Sequence, residues 1–160
     1  MTTSRESSRP IHIAVLLPEH LDRILSGQKT TEARLTVHPK PPFRAILPND
    51  RIYLKRRSGR VVATARAGRV HAFDLTESTT TVAALKRRFE PTVKAGPAFW
   101  RDKANARYAT FVRLTKVEPV AFGPTEGPLT GRDQRSAWRL LPAAACVYPS
   151  CRRTTTKKAS

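Results

Sequence analysis

The sequence predicts an α+β domain, a small mixed β-barrel flanked by short helices. Three observations carry that expectation. The chain has 160 residues, 39% of them apolar, which suffices for one compact core but not for two sizeable domains. Short runs rich in Val, Ile, Thr and aromatic residues recur between Gly, Pro, Asn and Asp punctuation, and only two or three short helical patterns interleave them. Gly68 interrupts the long strand-like stretch Val61 to Phe73, where a closing sheet needs a bulge or bend.

Residues 1–10 are polar and end on Pro10, so they read as a flexible arm. The body spans 11–122. His12 to Leu17 is rich in Ile, Val and Leu and predicts a strand. Pro18 then stands at a first helical position, Leu21, Ile24 and Leu25 repeat at i, i+3, i+4, and Gly27 sits where a left-handed cap belongs. A helix over Pro18 to Ser26 follows. Thr30 to Val37 alternates as a strand, with Thr30, Glu32 and Arg34 on one face and Thr31, Ala33 and Leu35 on the other. The three prolines of 38–42 make a loop.

Asn49-Asp50 marks a turn, Arg51 to Lys55 a strand, Ser58-Gly59 a second turn, and Val61 to Phe73 one long strand or two. Val82, Leu85, Arg88 and Phe89 predict a helix that Pro91 stops. Ala98 to Ala104 gives another helical turn, and Tyr108 to Val117 a strand. Segment 123–142 begins as a Gly- and Pro-rich loop and ends in a possible final strand, Ala137 to Leu141. Residues 143–160 form a basic tail.

Thirty Lys+Arg against twelve Asp+Glu leave a net charge of +18. Charge of one sign at that density repels itself, and the partner it suits is a polyanion. Arginine supplies 21 of the 30 cations, and its forked guanidinium matches phosphate and base edges. The apolar run Ile13 to Leu17 is far short of a membrane span, and no secretory leader pattern precedes it. Two cysteines, Cys146 and Cys151, make neither a disulfide framework nor a zinc site. They fit a reducing, cytoplasmic setting. No phosphate-cradling glycine loop, dinucleotide fingerprint or nucleophile elbow occurs, so neither a cofactor nor a metal is expected.

One segment departs from generic sequence. Gly27-x-Lys29-x-x-Glu32-x-Arg34 follows an amphipathic helix and opens a strand. Glu32 and Arg34 share a strand face and can pair, and Lys29 on the preceding turn can reach the same carboxylate. Such a group binds an anion, tunes a proton-transfer residue, or merely covers the barrel mouth as an ion pair.

This arrangement resembles the activating-signal-cointegrator homology (ASCH) domain family, whose members carry a helix followed by G-x-K-x-x-E-x-R. Asn49-Asp50-Arg51-Ile52 resembles the family's Gly-Asp-x-Ile, and the likeness covers roughly 11–122. It implies a PUA-like barrel related to RNA-binding domains, with a cleft near the motif. Some similar bacterial proteins are amidohydrolases of acetylated cytidine and others ribonucleases. In the amidohydrolases the motif Lys pairs with a Thr three residues on. Here that position is Glu32, and Glu77 and Glu90 compete for the role of a second carboxylate with nothing to choose between them. The departure favours a binding protein over an enzyme. If the protein is a hydrolase, Lys29 and Glu32 are its catalytic pair.

The second functional feature is cationic. Arg51, Lys55, Arg56, Arg57, Arg60, Arg66 and Arg69 fall in one stretch without an acid, and Lys55 to Arg60 would cluster at a hairpin tip able to follow a phosphate backbone. Tyr53 on the adjoining strand and Trp100 beside Arg101 are candidate stacking faces for a base. Phe73, Phe89, Phe111 and Phe122 read as core, and Trp138 between Arg135 and Arg139 as core or stacking surface. The expected function is RNA binding, with phosphates on the basic face and a nucleotide near Lys29, Glu32 and Arg34. A nucleic-acid-processing hydrolase and a DNA-binding regulator are the alternatives.

Overall fold

A computed structural model describes residues 9–120 and 136–141. Six strands and three helices follow in the order β1 (Ile11–Leu16), α1 (Pro18–Leu25), β2 (Thr31–Thr36), β3 (Arg51–Arg56), β4 (Val61–Asp74), α2 (Val82–Val93), α3 (Pro97–Asp102), β5 (Tyr108–Pro119) and β6 (Trp138–Leu141). The strands form one sheet in the order β2-β5-β4-β3-β1-β6. β1 and β3 run parallel, and every other neighbouring pair runs antiparallel. The sheet curls into a half-barrel, with β2 and β6 as its two edges. The α+β class and the strand succession agree with the sequence.

Alternation along the strands sorts side chains into an inner and an outer layer. Ala14, Leu16, Ile52, Leu54, Ala63, Ala65, Ala67, Val112 and Leu114 line the inside with Leu21 and Ile24 of α1. The run of alanines on β4 keeps the interior narrow enough for α1 to plug it. Outside, α2 and α3 pack Leu85, Phe89, Val93 and Trp100 on Ala33, Leu35, Ala109 and Phe111. Phe89 stacks on Phe111 at 3.9 Å with planes 6° apart. Ile11, Ile13, Tyr53 and Val61 form a third cluster on the outer face.

Pro18 fixes the first turn of α1, whose amphipathic face buries Leu21 and Ile24. Thr81 caps α2 by accepting from the Ala84 N–H at 3.1 Å. Pro91 does not stop α2, contrary to the expectation. The helix continues to Val93 and closes on Lys94 in the left-handed region. Val93 is wholly buried, and packing that side chain outweighs the one helical hydrogen bond a proline removes. Gly68 does mark an irregularity, a register shift between Ala67 and Val70.

Arg9 forks onto Asp50, Nε to Oδ1 at 2.9 Å and Nη2 to Oδ2 at 2.6 Å. The loop expected over 123–131, Phe122, both cysteines and the basic tail lie outside the described residues. Among the described residues no helix is long and apolar enough to cross a membrane.

Candidate functional site

The site begins where α1 ends. Gly27 takes φ +82° with nothing within 4 Å of an added Cβ, so glycine is needed there for backbone conformation rather than for space. The reversal pins the next residues between two helices: the Lys29 N–H donates to Arg23 O at 2.9 Å and the Thr30 N–H to Thr92 O at 3.0 Å. The Lys29 side chain therefore runs inward. Its Nζ donates to Val93 O at 2.6 Å and lies 3.4 Å from Glu32 Oε2.

Glu32 and Arg34 follow on the inner face of β2. Arg34 Nη2 lies 3.0 Å from Glu32 Oε1 and donates to Val15 O of β1, also at 3.0 Å. The structure thus brings Lys29, Glu32 and Arg34 together at one end of the half-barrel. Side-chain exposures of 3%, 7% and 15% make this an interior group carrying one surplus positive charge. Removing three charges from water is costly, and the Glu32 carboxylate set between the two cations offsets part of that cost.

Two further residues belong here that the sequence did not single out. Thr110 on β5 stands directly opposite Arg34. His20 of α1 feels both Lys29 and Glu32; burial first, then the Lys29 charge, pushes its imidazole below the ordinary histidine value, so it is neutral at pH 7. His20 Nδ1, Glu32 Oε2, Arg34 Nε and Thr110 Oγ1 are all buried without a hydrogen-bond partner. Buried polar atoms seek partners, and these four comprise donors and acceptors on three adjoining elements. His20 had one faint signal, its i, i+4 spacing to the buried Ile24. Thr110 had none, because only the β2–β5 register places it.

A polar chain supports the site from behind. The Trp138 indole N–H donates to His12 Nδ1 at 3.0 Å, and His12 Nε2 lies 3.0 Å from Asp50 Oδ2. With Nδ1 accepting, the proton of the neutral ring sits on Nε2 and is donated to Asp50. Burial is the main cause holding the His12 pKa below its ordinary value. Burial pushes Asp50 up, yet the hydrogen bonds from Arg9, the Leu47 N–H and His12 together hold it below the usual carboxylate range. Trp138 is therefore core, and it also forms one wall of the site.

The choice between Glu77 and Glu90 narrows. Glu90 lies within electrostatic reach of Lys29, but its oxygens already accept from Trp100 Nε1 at 2.6 Å and from the Ala95 and Gly96 N–H groups at 3.2 and 2.9 Å. It is a structural carboxylate. Glu77 is exposed on the turn after β4.

Both expected stacking faces are corrected. Tyr53 is 1% and Trp100 3% exposed; the first is enclosed by Ile11, Ile13 and Val61, the second packs under α2. Neither ring offers a face to a base. The basic stretch also divides. Arg56, Arg57 and Arg60 are exposed at the β3–β4 hairpin, while Lys55 is buried, its Nζ donating to Arg56 O at 3.3 Å. Burial, then Arg139, lowers the Lys55 pKa. Lys55 is thus not a free phosphate ligand. Arg51, Arg66 and Arg69 lie at the other end of the hairpin, Arg51 directly opposite Arg66.

An open groove of about 290 Å³ runs alongside the Gly27 turn, lined by Ile24, Leu25, Lys29, Leu114 and Val117 among others.

No family model matches the chain, and no curated protein sequence matches it. Solved structures do. A point mutant of the ASCH protein from Zymomonas mobilis superposes with a TM-score of 0.55 at 23% identity, over 72% of this chain and 76% of that one. The unmutated ASCH protein from the same organism gives 0.51 at 24% identity, over 68% and 69%. This chain has the ASCH fold. Within it, the Gly27 turn, the inner face of β2 and the edge strand β6 meet to enclose the charged group.

Proposed function

We propose that this ASCH-fold protein binds single-stranded RNA in the cytoplasm, with phosphates along its exposed arginines and one nucleotide held near Lys29, Glu32 and Arg34. The observation that carries the reading is the convergence of those three charges with the unpartnered atoms of His20, Glu32, Arg34 and Thr110. A net charge of +18 supplies the attraction to a polyanion, and Arg34 and Glu32 offer the donor beside acceptor that a base edge pairs with. The ASCH likeness, and through it the relation to PUA-like RNA-binding domains, favours RNA over DNA.

Filter binding of labelled single-stranded RNA, with unlabelled RNA and DNA as competitors, tests the reading. RNA competing at least several-fold better than DNA supports it. Equal competition moves the protein to the DNA-binding class, and no retention removes the reading.

One observation favours a hydrolase as the second reading: Glu32 Oε2 accepts no hydrogen bond while its ion-pair partner Lys29 Nζ lies 3.4 Å away, which leaves a carboxylate oxygen open to a proton from a substrate. Incubation with labelled RNA and with acetylated cytidine decides it. Turnover that disappears in Lys29→Ala establishes the enzyme, and intact substrate leaves the binder.

A further inference from the structure

The far end of the β3–β4 hairpin, where Arg51 stands opposite Arg66, lies apart from its tip at 56–60. At the bulge, β4 and β5 close tightly: a Cβ added to Gly68 would lie 3.0 Å from Thr115 Cγ2 and 3.4 Å from Arg113 Cβ. The missing side chain lets the two strands approach, and the exposed Arg69 and Arg113 emerge side by side. Thr31, the register partner of Arg113, alternates with Glu32, so this face lies on the opposite side of the sheet from the Lys29 group.

Two residues along β4 the character changes. His71 and Phe73, both part-exposed, have planes 11° apart and centroids separated by 6.4 Å. Arg88 of α2 lies 4.8 Å from the Phe89 centroid and 6.0 Å from that of Phe73. Stacking on two rings fixes this guanidinium while leaving it exposed. The His71 imidazole is held below its ordinary pKa by burial, then by the Arg88 and Arg69 charges, so it is neutral at pH 7. Among the described residues none of Arg66, Arg69, Arg88 and Arg113 takes part in an ion pair.

We propose that this outer face of β4 and β5, beside α2, is a second single-stranded RNA platform, with Arg69 and Arg113 on successive phosphates and a base stacked on His71 and Arg88. It rests on the RNA-binding reading and adds to it a surface separate from both the Lys29 group and the hairpin tip. Cations flanking a part-exposed aromatic row are what single-strand binders present, because every base has a π-face and every linkage a charge.

Fluorescence anisotropy with a labelled single-stranded RNA, over a salt series, tests it on three variants of the full chain. Arg69→Ala/Arg113→Ala is expected to weaken binding about tenfold at ~0.1 M salt and to flatten the slope of log affinity against log salt by about 1.4, two phosphates at roughly 0.7 each. His71→Ala is expected to weaken binding about fivefold or more with the slope unchanged, the mark of lost stacking. Arg57→Ala/Arg60→Ala reports on the hairpin tip. Crosslinks from 5-iodouracil RNA should map to 69–73. Outer-face variants that bind as wild type while the tip variant is weakened overturn the platform and leave RNA binding standing. A wild-type protein that binds no RNA overturns both.

Discussion

The guanidinium carbon of Arg34, on one edge strand of the sheet, lies 5.4 Å from the ring centroid of Trp138 on the other edge strand. β2 and β6 stand at opposite ends of the ladder, so this one side chain spans the seam that backbone hydrogen bonds leave open. The same guanidinium meets Glu32 and Val15 O. Closing the seam and building the charged site are therefore one structural act.

Arg34→Met is expected to cost about 3 kcal/mol, because it leaves the buried Glu32 carboxylate with Lys29 as its remaining charged partner. Arg34→Lys recovers part of that, keeping the charge but not the fork that serves Glu32 and Val15 together. Urea unfolding measures both through a lower midpoint at constant slope. A midpoint shift worth under 0.5 kcal/mol in the Met variant would show the seam to be irrelevant.

Trp138→Phe keeps an aromatic ring for Arg34 and removes the N–H that His12 Nδ1 accepts. An orphaned buried acceptor costs about 1–3 kcal/mol. Loss of amide-exchange protection along β6 before the rest of the sheet is the accompanying sign, and uniform protection would argue that the indole bond contributes little.

Acid should destabilise the fold in two stages. His12, His20 and His71 are all held below their ordinary values, chiefly by burial. The unfolded chain then binds more protons than the folded one as pH drops through about 6.5, so stability falls from there down to each folded pKa. Asp50, which its hydrogen bonds hold below the usual carboxylate range despite burial, stabilises the fold above about 4 and withdraws that contribution as pH falls through its folded value. Thermal melts flat from pH 8 to 7 and declining from 6.5 fit this; a melting temperature constant from pH 7.5 to 5 does not.

Gly27→Ala meets no steric neighbour, so its cost is that of a side chain at positive φ, about 1 kcal/mol. A melt drop of a few degrees measures it. A larger effect on ligand affinity than on stability would show that the turn chiefly serves to aim Lys29.

The G-x-K-x-x-E-x-R spacing was legible because its parts are local: a helix stripe, a glycine reversal and an alternating strand fix where Lys29, Glu32 and Arg34 point. His20, Thr110 and Trp138 were not, since each reaches the site through a register or helix docking that no short window encodes. Tyr53, Trp100 and Lys55 misled for one reason. Amphipathic side chains beside cations look alike in sequence whether they face solvent or an outer-layer cluster, and three separate apolar clusters leave both sheet faces partly covered. Pro91 misled because local helix breaking yields to the burial of Val93.

The slope of RNA affinity against salt tests the central claim most directly, since it counts the phosphates the protein neutralises. Contact with four or more phosphates of a single strand predicts a log–log slope of about −3 or steeper. A flat dependence, or no saturable binding near 0.1 M salt, would contradict the account whatever the geometry of Lys29, Glu32 and Arg34.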